Sequence, residues 1–345
     1  MTPIVSTPSA AVTDQMNRPL RDLRISVTDR CNFRCVYCMP KEIFGAGYPF
    51  LQTDEMLSFE EITRIARAFV ANGVEKFRLT GGEPLVRRNI EQLVAMLAEI
   101  DGVDDIAMTT NGSLLSPKKA RALRDAGLRR ITISLDSLDD RIFKSMNDVN
   151  FPVSKVLDAV ENALAVGFDP VKMDMVVKRG VNEDSVLAMA EHFRNTGVIL
   201  RFIEFMDVGS TNGWQMADVV PARDILERIH AVWPIEPVQP NYTGEVATRW
   251  RYVDGGGEIG IIASVTMPFC ADCSRARLSS DGQLYTCLFG VKGYDLRGLV
   301  RSGVSDADVV EKVRGIWSQR VDRYSEIRSA NTINLRKVEM SRIGG

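Results

Sequence analysis

All six cysteines of the chain fall into two tight triplets, Cys31/Cys35/Cys38 and Cys270/Cys273/Cys287. Disulfides in small secreted domains spread their cysteines to close long loops, so clustered thiols point to metal instead. In the first triplet the CxxxCxxC spacing lets three thiolates hold three irons of a [4Fe–4S] cubane. The fourth iron is then free to take the amino and carboxylate groups of a small molecule. Structural zinc completes four ligands, commonly with paired CxxC knuckles or histidine. The two histidines, His192 and His230, are remote in sequence from this loop, so a cubane is the expected occupant. The second triplet is a CxxC followed, after thirteen intervening residues, by Cys287. It again offers three sulfurs and an open position, which suggests ligand binding; zinc completed by Asp272 is the alternative.

Other residues could act beside these thiols. Arg275 and Arg277 lie between the cysteines of the second triplet. On a strand, residues two apart face the same side, and two guanidiniums on one face suit a phosphate. A solvated charged surface is the plainer reading of such a pair. Thr80-Gly81-Gly82-Glu83-Pro84 alone signals only a turn. The terminal Gly344-Gly345 alone reads as a frayed end.

These residues need a frame. Short β-rich runs at 23–28, 76–80, 105–110, 130–135, 171–177 and 199–205 alternate with helical patterns. Ser58 with Glu61 forms a capping box ahead of one helix, and Gly73 follows as its stop. Pro117 opens a second helix that ends at Gly127, and a third runs from 154 to 166 before Gly167. Six βα repeats predict a parallel sheet, and the polar residues Cys31, Gly81–Glu83, Asn111, Ser134 and Met206 come at or just after strand ends. Active sites of α/β barrels lie there. The fold class expected is α/β, an incomplete (β/α)6 barrel of the TIM type, with a C-terminal α+β region. Beyond Met206, short strands near 245–253 and 257–265 and a helix at 305–320 belong to that region. The expected division is a disordered tail over 1–19, a barrel over 20–215 and a C-terminal domain over 216–345.

Composition narrows the function. A hydrophobic fraction of 45% over 345 residues supports a buried core. A formal net charge of −2 gives no basic footprint for nucleic acid. No uninterrupted apolar run is long enough to span a membrane, and the N-terminus has neither a basic start nor an apolar segment, so a cytoplasmic protein is expected.

The segment CNFRCVYCMP, with Tyr37 before its last cysteine, resembles the signature of the radical S-adenosylmethionine superfamily. Together with RLTGGEPLVRR, MTTNG, RFIEFMDVG, the CxxC–RAR–C block and the Gly-Gly end, it makes residues 20–345 similar to the GTP 3′,8-cyclase family of molybdenum cofactor biosynthesis. Ser274 departs from that family, where Asn is expected. The resemblance implies two [4Fe–4S] clusters, on Cys31, Cys35 and Cys38 and on Cys270, Cys273 and Cys287. It implies S-adenosylmethionine contacts at Tyr37, Gly82, Ser134 and Met206. It implies GTP contacts at Arg24, Arg78, Thr109, Lys172, Arg275, Ala276 and Arg277, and catalytic roles for Arg275, Arg277, Gly344 and Gly345. In the implied reaction a 5′-deoxyadenosyl radical takes hydrogen from C3′ of GTP, and the ribose radical adds to C8 of guanine. An electron donor and the next enzyme, cyclic pyranopterin monophosphate synthase, are the implied partners, with no nucleic acid and no membrane; self-association as a homodimer stays open. A peptide-modifying radical enzyme and a non-catalytic metal-binding RNA module are the rival readings. The first would be expected to carry more cysteines, and the second a basic stripe.

Overall fold

The computed structural model describes residues 11–328 and 337–344. The βα alternation becomes six parallel strands laid side by side in chain order: β1 (Asp22–Ser26), β2 (Lys76–Thr80), β3 (Asp105–Thr110), β4 (Arg130–Ser134), β5 (Val171–Val177) and β6 (Ile199–Glu204). Side chains alternate along each strand. Leu23, Ile25, Phe77, Leu79, Ile131, Ile133, Met173, Met175, Leu200 and Phe202 face outward and are almost fully buried. The helices Phe59–Val70, Ile90–Ala98, Pro117–Asp125, Val153–Ala165 and Ser185–Phe193 alternate with these strands and bury their apolar faces in the same core. Burying this outer face sets the parity, so the other set of each strand, including Arg24, Arg78, Thr109, Thr132, Lys172 and Arg201, faces the barrel interior. The Ser58 capping box is formed, with both its hydrogen bonds made to Glu61, and starts Phe59–Val70 where expected.

The C-terminal part adds strands to both edges of this sheet. β7 (Ile235–Val238), β8 (Thr248–Tyr252) and β9 (Glu258–Ile262) extend one edge, with β9 parallel to β6. β10 (Arg275–Leu278), β11 (Gln283–Tyr285) and β12 (Tyr294–Asp295) extend the other, with β10 parallel to β1. Among the described residues the result is a single twelve-stranded sheet. The helix at 305–320 is observed as Asp306–Ser318 and packs on Phe59–Val70. No helix among the described residues is long and apolar enough to cross a membrane.

One expectation is corrected. Residues 11–19 are packed, whereas the Ser/Thr/Pro/Ala composition suggested a tail. Val12 donates to the Asn72 carbonyl, Leu20 donates to that of Val12, and Thr13 bridges to Pro19. Asp14 and Arg18 form a buried ion pair. The partners that order this segment lie as many as 306 positions away, beyond anything local composition reports. Residues 1–10 fall outside the described residues.

Glu204, at the end of β6, joins the barrel to its extension. Its Oε1 accepts from Ala222 N at 2.9 Å and from Thr266 Oγ1, and its Oε2 accepts from Val265 N at 2.8 Å and Thr266 N at 2.9 Å. Four donors thus depend on one carboxylate that has no solvent contact. Glu204→Ala is expected to cost roughly 3 kcal/mol or more, because buried donors are left unpaired; the denaturant midpoint, followed by circular dichroism, measures it.

Candidate active site

At the carboxyl ends of the barrel strands lies a cavity of about 310 Å³, lined by all six cysteines. All six are free thiols, neither fully buried nor exposed. Cys35 and Cys38 are brought together by a turn in which the Cys35 carbonyl accepts from Cys38 N at 2.9 Å and Met39 N at 2.8 Å. Phe33 N donates to Cys31 Sγ at 3.3 Å, and Asn111 Nδ2 lies 3.9 Å from the same sulfur. Burial pushes the Cys31 and Cys38 thiols up to about 12 and holds Cys35 well above its ordinary value. Loading the triplet with iron must therefore release protons. Three converging thiols with an N–H donor to sulfur fit a cubane.

The Gly81-Gly82 loop packs directly on the cysteine loop. Gly82 N donates to the Thr28 carbonyl at 2.8 Å, and Glu83 N donates to that of Arg30 at 2.9 Å. A Cβ on Gly82 would overlap the Arg30 carbonyl, so glycine is required there by close approach rather than by a special dihedral. Glu83 turns inward, accepting from Leu85 N, Thr110 Oγ1 and Asn111 N. Burial lifts its carboxyl to about 7 despite those three donors. Its carboxylate ties the loop after β2 to the end of β3.

Tyr37, Gly82, Ser134 and Met206 share the cavity wall. Tyr37 donates to Asp136 Oδ2 at 2.7 Å, Asp136 Oδ1 accepts from Val176 N at 2.9 Å, and burial raises this carboxyl to about 6. Asp136 was not singled out in the sequence, because its partner is 99 positions away.

The second triplet faces the same space. Cys270–Asp272 forms a 3-10 turn, and Cys273 follows as its cap. Burial alone would raise the Cys273 thiol, but Arg275 and Arg320 outweigh it and bring it down to about 7; burial pushes Cys287 up to about 12. Asp272 is exposed and outside the cavity lining. Among the described residues no group of three or more His, Cys, Asp or Glu is arranged around a single-ion site.

Between the triplets stands a row of cations. Arg277, Arg24 and Arg78 are direct neighbours in the register of β10, β1 and β2, and all three line the cavity with Arg275, Thr109 and Arg201. Arg78 donates to Thr109 Oγ1 at 3.1 Å, and Arg201 is paired bidentately with Asp174 at 2.7 and 2.8 Å. The Arg24 guanidinium has no hydrogen bond or ion pair among the described residues. Burial, then Arg277, Arg78 and Arg275, holds its pKa well below the ordinary value. Lys172, inward on β5 but outside the cavity lining, is lowered to about 8 by burial and then by Arg201, Arg130 and Arg78. Ala276 points the other way and is fully buried, which leaves only its backbone to meet a ligand. Arg201 was overlooked in the sequence, although the period-two alternation of β6 would have placed it inward.

The C-terminal segment ends against these cations. Arg277 Nη1 donates to the Gly344 carbonyl. Gly344 has φ 73°, and a Cβ on it would overlap Thr80 Cγ2. Lys337 Nζ meets Asp207 Oδ2 at 2.7 Å, and Glu339 accepts from Ser210 N at 3.0 Å and Thr211 Oγ1 at 2.9 Å, fastening the segment to the loop after β6. Gly345 lies outside the described residues.

Comparison with known proteins matches residues 25–193 to the Radical SAM superfamily and residues 198–326 to Molybdenum Cofactor Synthesis C. The GTP 3′,8-cyclase of Acidothermus cellulolyticus is 53% identical, covering 97% of this chain and 99% of its own. That of Staphylococcus haemolyticus is 49% identical with the same coverage, and that of Xanthomonas campestris pv. campestris 50% identical over 98% of each. Among solved structures, Streptococcus suis SuiB bound to S-adenosylmethionine shares the fold, with TM-score 0.62 at 14% identity over 93% of this chain and 74% of that one.

The crowding of cations has a pH signature. A lysine lowered to about 8 is losing its proton just where a bound polyanion would restore it. Polyanion affinity is therefore expected to fall by up to about tenfold per pH unit above 8, with proton uptake on binding. Calorimetry in buffers of different ionisation heat measures both effects, and Lys172→Met is expected to bind more weakly and to lose most of the slope.

Proposed function

The chain belongs to the GTP 3′,8-cyclase family, and from that premise we propose which of its residues carry each part of the reaction. The enzyme is a radical S-adenosylmethionine lyase that converts GTP to (8S)-3′,8-cyclo-7,8-dihydroguanosine 5′-triphosphate, the first step of molybdenum cofactor biosynthesis. Full-length similarity to cyclases sets aside both a peptide-modifying enzyme and a metal-binding RNA module. The observation that carries the assignment of residues is the row of cations between two open cysteine triplets within one cavity.

Cys31, Cys35 and Cys38 would hold the first [4Fe–4S] cluster, and Cys270, Cys273 and Cys287 the second. When bound, the first cluster and S-adenosylmethionine supply the electron and the radical. The remaining work falls to protein groups. Tyr37, Gly82, Ser134 and Met206 take S-adenosylmethionine, with Asp136 fixing the Tyr37 hydroxyl. Arg24, Arg78, Arg275 and Arg277, with Lys172 and Thr109, receive GTP. A triphosphate neutralises like charges that otherwise repel one another, so binding is favoured both by new charge-assisted hydrogen bonds and by relief of that repulsion. Ala276 contributes backbone only. Gly344 limits the room around the bound nucleotide and keeps its ribose and base in a reactive geometry, and enclosure excludes water from the radical; Gly345, outside the described residues, is assigned the same catalytic role on the family resemblance.

The division into a barrel at 20–215 and a second-cluster region at 216–345 is part of the same proposal. So are an electron donor, cyclic pyranopterin monophosphate synthase as the next enzyme, a homodimer and a cytoplasmic setting. The electron donor and the next enzyme rest on the family's chemistry, the division and the setting on the sequence reading, and self-association stays open.

Two measurements test the assignments. Anaerobically reconstituted protein is expected to hold about eight irons per chain, and replacing Cys270, Cys273 and Cys287 with Ala to leave about four, with S-adenosylmethionine cleavage retained and cyclisation lost. Stoichiometric zinc at the second triplet would overturn this. Gly344→Ala is expected to keep both clusters and lower cyclisation about 100-fold, since displacement of the reacting groups by an ångström has that scale of effect. Deoxyadenosine release and product formation, measured in the same single-turnover reaction, separate the two steps.

A further inference from the structure

Beside the second triplet stands a cation that the cyclisation chemistry leaves without a role. Arg320, 47 positions beyond Cys273, donates from Nη2 to Cys273 Sγ at 3.3 Å and from Nη1 to the Cys273 carbonyl at 2.7 Å. Its ring-facing side covers Trp317, with the guanidinium 4.5 Å from the ring centroid. A group this well buried needs carboxylates to hold it: Asp322 Oδ2 lies 3.3 Å from its Nε, and the N-terminal segment supplies the fully buried one. Asp14 Oδ2 accepts from Arg320 Nη1 at 3.2 Å and from Arg18 Nε at 2.6 Å, and none of the three side chains is more than 1% exposed. Arg18 then reaches the Cys270 carbonyl at 2.8 Å and the Asp322 carbonyl at 2.7 Å, and its own carbonyl accepts from Trp317 Nε1.

With Asp322, on a partly exposed side chain, two carboxylates face two guanidiniums, and of these four groups Arg320 alone donates to a sulfur of the triplet. Each guanidinium has a carboxylate partner, while Arg18 Nη2 makes no hydrogen bond among the described residues. The contact of Arg320 with Cys273 makes sense if the sulfur side carries negative charge. Resting on the reading that this triplet holds a cluster, we propose that the N-terminal segment 11–20 is part of that cluster's surroundings: Asp14 and Arg18 position Arg320 on the Cys273 sulfur, and Arg320 sets how readily the second cluster accepts an electron. Adding an electron adds negative charge, and a guanidinium hydrogen-bonded to a ligand sulfur in an enclosed site favours that state.

The test is an anaerobic redox titration of the full chain followed by electron paramagnetic resonance, with iron counted in every sample. The first cluster, identified by its response to S-adenosylmethionine, serves as the internal reference. Arg320→Gln is expected to keep about eight irons and to lower the potential of the second cluster by the equivalent of at least tenfold in its one-electron equilibrium, about 59 mV. The potential of the first cluster should stay unmoved, and Arg320→Lys should recover part of the shift. Asp14→Asn separates positioning from charge. Loss of a nearby negative charge alone would raise the potential, whereas release of Arg320 from the sulfur lowers it, and lowering is expected. Should Arg320→Gln fail to hold the second four irons, Arg320→Lys and Asp14→Asn carry the measurement. An unmoved second potential in variants that keep their irons overturns the proposal, and a raised one in Asp14→Asn overturns the positioning role. Four irons in the unsubstituted chain would instead remove the cluster reading itself, and the inference with it.

Discussion

Arg277, Arg24 and Arg78 stand side by side on three adjacent parallel strands, and their mutual repulsion is the constraint around which this protein is arranged. Barrel interiors are ordinarily filled by layers of branched apolar side chains. Here the inner face is polar and its cations outnumber its carboxylates, of which Asp174 is already taken by Arg201. Burial first, and the neighbouring cations second, hold the pKa values of Arg24, Arg78, Arg277 and Lys172 below their ordinary values. What holds the row together is the outer face, where apolar residues of the same strands are buried under helices. The sheet supplies the rigidity and the core supplies the free energy that keep like charges in register until a polyanion arrives.

Residues 11–20 and 337–344 flank the site around that row. From the N-terminus, Asp14 and Arg18 fold over the second triplet and brace Arg320. From the C-terminus, Gly344 is pinned between Arg277 and Thr80. Neither end is ordered by its own local preferences. Each is tied to a buried charge on the body of the protein, Arg320 in one case and Asp207 in the other. Binding, closure and positioning are thereby linked through one electrostatic arrangement, and the loop carrying Met206 is fastened to the same C-terminal segment through Asp207 and Glu339.

Glycine at two positions makes the geometry attainable. Gly82 lets the loop after β2 lie on the backbone just before Cys31, and Gly344 lets the chain turn with positive φ against Thr80. In both places a Cβ would meet atoms that cannot move away cheaply, so the thiols, the cofactor loop and the C-terminus come within reach of one another only because those side chains are missing.

Much of this was legible in the residues alone. Short β-rich runs between capped helices announced the parallel strands, and the two cysteine triplets announced metal, because both signals are local and their spacing is fixed by backbone geometry and ligand chemistry. The placement of Arg275 and Arg277 on one face followed from strand parity. Other features had no local trace. Asp136 under Tyr37, Arg320 on Cys273, Glu204 binding four donors and the ordering of residues 11–19 each depend on partners tens to hundreds of positions away. Ala276 sits in a promising motif yet faces the core. The sequence by itself determined which chemistry the chain could hold. Tertiary structure decided which charges stand unpaired, which carboxylates brace them and where residues 11–20 and 337–344 pack, because burial and long-range electrostatics exist only once the chain has folded.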